Sequence, residues 1–173
     1  MCGDMAQAVE TTGMGEIDIM RIYLASRYGR RAELCEYREQ LNAAGHKVQA
    51  QWLDGSHQIS DTGTPIGETG EALVEGDDGS TTLKAAAMRN RFAMDDFRDV
   101  TMCELLIAFT EPPRSSASRG GRHVELGIAL GLMKQVWIVG PRENIFCWME
   151  DVRQFDTWEE CLKQLQAERK LAS

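Results

Sequence analysis

Glu125 lies in the stretch Ser118-Arg-Gly-Gly-Arg-His-Val-Glu-Leu-Gly-Ile-Ala-Leu-Gly-Leu-Met133, just ahead of the β-branched run Gln135-Val-Trp-Ile-Val139. A glycine pair, an amphipathic run and an apolar run spell loop, helix and buried strand. Glu125 is thereby placed about one turn inside a helix N-terminus, where free N–H groups and the positive end of the helix dipole favour a carboxylate over its acid. An ionised carboxylate is what nucleophilic attack requires. Gly120 and Gly121 allow close approach of backbone to a ligand, while Gly127 and Gly131, four apart, would give one helix face a flat surface for packing on a sheet. Val124, Ile128 and Leu132 form a second, apolar stripe that is expected to anchor the helix.

A second set of carboxylates, Asp95, Asp96 and Asp99, falls on the preceding helical stretch. Displacing a base from a sugar through an oxocarbenium-like transition state needs one carboxylate at C1′ and a second acid near the leaving group. The same residues also fit a solvated helix face pairing with Arg91 or Arg98. Ser26-Arg-Tyr-Gly-Arg-Arg31, with a hydroxyl, a glycine and three guanidinium groups, suits a phosphate cradle at a helix N-terminus, to which Arg114, Arg119 and Arg122 could add. It equally suits arginines that offset acidic neighbours. It is neither G-x-G-x-x-G nor a P-loop, which excludes a Rossmann dinucleotide or Walker-type assignment. Tyr23 and Trp52 are aromatic residues at strand positions that fit either a core or a base-stacking role.

The elements that must position these groups alternate. Arg21–Ala25 reads as a strand, 30–44 as a helix ending at Gly45, 47–53 as a second strand, 81–100 as a helix, 103–109 as a third strand, then the Glu125 helix and the strand 135–139. A last strand is expected over 152–155 and a C-terminal helix over 157–170. Uniformly apolar strands alternating with helices predict an α/β fold: one doubly wound, flavodoxin- or Rossmann-like parallel sheet of about five strands with helices on both faces. Ligands bind such sheets at the carboxyl ends of the strands, near the switch in strand order.

The chain of 173 residues suits a single domain over 20–173, preceded by an extension over 1–19 that lacks periodicity. Net charge is −8, but the first 20 residues hold four acidic and no basic residues, and 54–78 hold seven and none. The remainder has 16 acidic against 19 basic residues, so a nucleic-acid polymer is not an expected partner, while a local anion site is allowed. The 54–80 segment, with six glycines, reads as an acidic lid or loop. Five widely spaced cysteines and three histidines without metal-ligand spacing predict neither a disulfide framework nor a metal, and no cofactor is expected. No apolar run suits a membrane span or a secretory leader, and a cytoplasmic protein is expected.

Tyr23-Leu-Ala-Ser26 after the first strand, Asp96, and Gly121-Arg-His-Val-Glu-Leu-Gly-Ile-Ala-Leu130 together resemble the nucleoside 2-deoxyribosyltransferase family, which includes 2′-deoxynucleoside 5′-phosphate N-hydrolases and pyrimidine-nucleotide hydrolases. The resemblance spans 21–155 and is most specific in the G-x-x-x-E-x-G-x-A pattern. It implies that Glu125 attacks the anomeric carbon, that Asp96 assists protonation of the leaving base and that Tyr23 positions the glutamate. It also implies substrate or phosphate contacts from Ser26 and Arg27, with Arg30, Trp52, Ser118, Arg119 and Gly121 further candidates from the residue pattern, and Asn144 or Arg142 completing a neighbouring subunit's site in a homodimer or larger homo-oligomer. The serine that the family's hydrolases carry six residues before the glutamate is Arg119 here, with Ser118 one position further back. The expected activity is cleavage of the N-glycosidic bond of a (deoxy)nucleoside or its 5′-monophosphate, by hydrolysis or by transfer to another base. The arginine-rich first loop favours the monophosphate and hence hydrolysis. A non-catalytic nucleotide sensor and an NAD glycohydrolase-like enzyme are the alternatives.

Overall fold

The computed structural model describes residues 19–55, 83–112 and 120–172. The 1–18 extension, nearly all of the 54–80 loop, the cap expected at Ser80 or Thr81, and Arg114, Ser118 and Arg119 lie outside the described residues. Five parallel strands form one sheet: β1 (Arg21–Ala25), β2 (Lys47–Val48), β3 (Leu105–Phe109), β4 (Gln135–Val139) and β5 (Val152–Phe155), in the order β2-β1-β3-β4-β5. The order reverses direction between β1 and β3, whose registers run from Ile22 opposite Leu105 to Ala25 opposite Ala108. This is the doubly wound α/β sheet expected from the alternating elements.

Among the described residues four helices cover it: α1 (Arg31–Ala43), α2 (Leu83–Met102), α3 (Gly121–Gly131) and α4 (Trp158–Ala172). On one face Tyr37 of α1 and Trp158 of α4 stack at 4.5 Å between ring centroids, with Phe109 of β3 5.4 Å from Tyr37. The three rings tie both helices to the central strand, and the Trp158 indole N–H donates to Gln40 Oε1 at 2.8 Å. α2 and α3 pack on each other and against β1. β1, β3 and β4 supply the core, with Ile22, Tyr23, Leu24, Leu105, Leu106, Ile107 and Ile138 wholly removed from solvent. Burial on both faces explains why these strands read as continuous apolar runs.

Three expectations are corrected. The strand over 47–53 is only two residues long, and Gln51–Asp54 forms a 3-10 turn instead. Asp99 explains the break: it accepts from the Gln51 backbone N–H at 2.9 Å and from Gln51 Nε2 at 3.0 Å, drawing the chain away from the sheet edge. Second, of the stripe Val124, Ile128 and Leu132 only Ile128 packs against the core, and the stripe as a whole does not anchor α3. Val124 is 63% and Leu132 44% exposed, and the buried face is Arg122, Leu126 and Ala129. An arginine takes an interior position there because Glu143 and the Phe109 carbonyl hold its guanidinium. Third, Gly127 and Gly131 face away from the sheet and are exposed; a Cβ on either would meet nothing within 4 Å.

Candidate active site

Tyr23 carries the site's geometry. Its position in the central strand buries the ring completely, and its hydroxyl donates to Glu125 Oε1 at 2.9 Å across the gap between β1 and α3. Burial pushes the hydroxyl's pKa well above its ordinary value of 10, and the nearby Glu125, Asp96 and Asp99 carboxylates push it further. Tyr23 therefore remains a proton donor at any working pH. Glu125 itself is the fifth residue of α3, one turn beyond the first free N–H groups, so the tyrosine rather than the helix terminus supplies the donor seen on its carboxylate. Gly120, at φ 95°, opens the helix, and among the described residues neither it nor Gly121 has an atom within 4 Å of where a Cβ would stand.

Asp96, on α2, lies near enough for its charge to act on the Tyr23 hydroxyl. Burial, reinforced by the like charges of Asp99 and Asp95, raises the Asp96 pKa from 3.8 to about 7. Its Oδ1 is buried with no hydrogen-bond partner among the described residues. The three aspartates have separate fates. Asp95 pairs with Arg91 and Arg98 at 3.6 and 3.5 Å, as a helix-face pattern would have it, Asp99 clamps Gln51, and Asp96 is left facing inward. The arrangement couples a carboxylate held by a neutral donor to a second carboxyl that keeps its proton near neutrality, which is the division of labour that acid-assisted nucleophilic substitution uses.

Around this pair the first loop follows β1. Ser26 Oγ is buried with no hydrogen-bond partner among the described residues. Arg27 Nε donates to Glu111 Oε1 at 2.5 Å, and Arg30 is held at both nitrogens by Glu33, at 2.8 and 2.7 Å, with its guanidinium 5.4 Å from the centre of the Phe109 ring. Trp52 is buried, and its indole N–H donates to the Leu24 carbonyl at 3.0 Å. It props the carboxyl end of β1 from beneath and is a core residue, not the stacking platform its aromatic character suggested. Asn144 caps the turn over Ile145–Trp148 by accepting from the Phe146 N–H at 2.9 Å, while Arg142 donates to Gln154 Oε1 and the Cys147 carbonyl and lies 4.6 Å from the Trp148 ring centre.

Glu111 and Glu143 escaped the sequence reading, and Arg122, read there as a possible addition to an anion site, is instead tied up inside the protein. Arg122, 3% exposed, donates to both Glu143 oxygens at 2.6 and 2.8 Å and to the Phe109 carbonyl at 3.1 Å. Glu143 also accepts from the Glu111 N–H at 2.8 Å and lies 3.2 Å from His123 Nε2. Glu111, Glu143 and Arg122 thus lock the loop after β3, the loop after β4 and the start of α3 together, just where Glu125 must be held. Charged residues at the ends of apolar runs carry no periodic signal, so only the fold reveals their partnership.

A separate hollow of about 610 Å³ lies on the outer side of α3, bordered by His123, Gly127, Leu130, Gly131, Asn144 and Phe146. None of Tyr23, Asp96 and Glu125 lines it. Among the described residues no group of three or more His, Cys, Asp or Glu side chains is arranged to hold a metal, and no helix is long and apolar enough to cross a membrane.

No family model matches the chain, and no curated protein does. Among solved structures, it is similar to a 2-deoxyribosyltransferase from the psychrotolerant Bacillus psychrosaccharolyticus, with TM-score 0.56, 16% identity and coverage of 82% of this chain and 90% of that one. It is also similar to the CMP N-glycosidase BcmB of Clostridium botulinum, with TM-score 0.48, 15% identity and coverage of 85% and 98%. The 2-deoxyribosyltransferase likeness shows a shared fold across most of both chains.

Proposed function

We propose that the protein cleaves the N-glycosidic bond of a nucleoside or its 5′-monophosphate, with Glu125 as nucleophile. The observation that carries this reading is the buried Tyr23 hydroxyl on the Glu125 carboxylate, and Asp96, whose charge acts on the same tyrosine and whose own pKa burial raises to about 7, supports it. The shared fold with a 2-deoxyribosyltransferase supports it. In this mechanism one Glu125 oxygen attacks C1′ as the C1′–N bond breaks, and Asp96 gives its proton to the departing base. The resulting glycosyl ester on Glu125 is released by water, which makes the enzyme a hydrolase, or by a second base, which makes it a transferase. Tyr23 holds the attacking carboxylate in place and remains neutral throughout.

The working unit is a homodimer. Phe146 and Met149 line the hollow, and Val124 and Leu132 on α3 and Ile145 and Trp148 in the turn after β4 are also exposed, an amount of apolar surface that marks an interaction site. The resemblance to the deoxyribosyltransferases implies a second copy as the occupant, with Asn144 near the junction.

Incubation with nucleosides and their 5′-monophosphates, followed by chromatography for free base, tests the reading. Base release that disappears in Glu125→Ala supports it. Nucleotide binding without release would instead make the protein a sensor.

A further inference from the structure

β1 and β3 end side by side, so the residues that follow them, Ser26-Arg27 and Thr110-Glu111, form one rim above the sheet. With Glu125 at C1′ and Asp96 at the leaving base, this rim is left for the far end of the sugar, where a nucleoside carries a hydroxyl and a nucleotide a phosphate. Three guanidinium groups meet three carboxylates there: Arg27 with Glu111, Arg30 with Glu33, and Arg122 with Glu143. The Arg27 contact is 2.5 Å long, and the Glu111 side chain is only 14% exposed. Glu111 cannot easily swing aside, because its own N–H is tied to Glu143, which the buried Arg122 grips with two hydrogen bonds.

A phosphate site needs cationic donors whose charge is not already answered. Among the described residues of the rim, a phosphate at Arg27 would have to displace Glu111 or lie beside its negative charge. A hydroxyl meets neither obstacle. The buried Ser26 Oγ, with no hydrogen-bond partner among the described residues, can both donate to and accept from a hydroxyl, and the Glu111 carboxylate is an acceptor for its proton.

We propose that this rim selects an uncharged nucleoside by its 5′-hydroxyl, and that Glu111 is the specificity-determining residue that excludes 5′-monophosphates by occupying Arg27. The proposal rests on the glycosidase reading and narrows its substrate to nucleosides, against the count of arginines in the first loop, which by itself favours a phosphate.

The test compares 2′-deoxyuridine, uridine and their 5′-monophosphates with the wild type, Glu111→Gln, and the double variant Glu111→Gln/Arg27→Gln. Base release is followed by chromatography, and binding separately by calorimetry. The wild type should prefer a nucleoside over its monophosphate by tenfold or more in kcat/KM. Glu111→Gln should shift that ratio at least tenfold toward the monophosphate, and the double variant should lose the gain. Thermal melts confirm that each variant is folded; if Glu111→Gln fails to fold, Glu111→Ser takes its place with the same expectation. A wild type that prefers the monophosphate, or a Glu111 variant whose ratio and relative affinities do not move, overturns the proposal. If no variant releases base, yet the calorimetric preference shifts as stated, the specificity assignment stands and the glycosidase reading falls.

Discussion

The two carboxyl groups proposed to do the chemistry have different surroundings within this sheet. Glu125 has the Tyr23 hydroxyl as a donor, whereas Asp96 Oδ1 is buried without one among the described residues and next to two further aspartates. Asp96 therefore titrates near 7 in the folded protein instead of near 3.8. Because the folded pKa is the higher one, its contribution to stability is fully present below about pH 3.8 and is lost as pH rises through about 7. At roughly 1.4 kcal/mol per pH unit the whole effect is at most about 4 kcal/mol. Denaturant titrations at pH 4 to 8 should show Asp96→Asn gaining on the wild type as pH rises, and a constant difference would contradict the assignment. Base release should fall above pH 7 in the wild type. Tyr23→Phe keeps the ring's packing and removes the donor, so kcat should drop about 10- to 100-fold, equivalent to roughly 1.4 to 2.7 kcal/mol in the barrier, with only a small change in melting temperature. Glu125 stood out in the chain by its place after a glycine pair near a helix start, whereas Asp96 could be separated from Asp95 and Asp99, and Tyr23 from a core ring, only through the resemblance to the deoxyribosyltransferases. Trp52 could not be placed, since an aromatic residue at a strand end reads the same whether it props the strand or faces a ligand.

Arg122 and Glu143 act at the level of whole elements, joining the first turn of α3 to the loops after β3 and β4. Glu143→Gln leaves a guanidinium buried without its carboxylate partner, a change that typically costs about 3–5 kcal/mol. Urea denaturation should register a loss of that order, together with weakened turnover as the Glu125 helix loosens; a loss under about 1 kcal/mol would mean that the pair is incidental. Gly140 guards the same junction. Its φ of 115° is one that L side chains rarely adopt, and a Cβ there would lie 2.8 Å from the Thr110 carbonyl oxygen. Gly140→Ala should therefore lower the melting temperature and separate β4 from the loop that bears Glu111. The elements themselves were readable from apolar runs and glycine stops such as Gly45, at φ 87°. The facing of α3 was not, because the pattern of apolar residues discounts an arginine, and the partner that lets Arg122 go inward lies 21 residues away.

For the molecule as a whole, the reversal of strand order between β1 and β3 decides where chemistry can occur. It brings the first loop, the loop after β3 and the start of α3 to one end of the sheet, so residues 102 apart in the chain, Tyr23 and Glu125, come within one hydrogen bond. Alternating apolar strands and helices made that architecture predictable; the order of the strands follows only from how the helices pack. The exposed apolar surface outside α3 should be covered in solution, and light scattering should give twice the chain mass of 19.4 kDa. Trp148→Glu should shift the protein toward monomer; a wild type that is already monomeric at micromolar concentration would remove the dimer. The central claim is that Glu125 forms a bond to C1′, and intact-protein mass spectrometry of acid-quenched turnover with a 2′-deoxynucleoside tests it most directly. A deoxyribosyl adduct that maps to the peptide containing Glu125 and is missing from Glu125→Ala is the predicted result. Undiminished base release by Glu125→Ala would contradict the account.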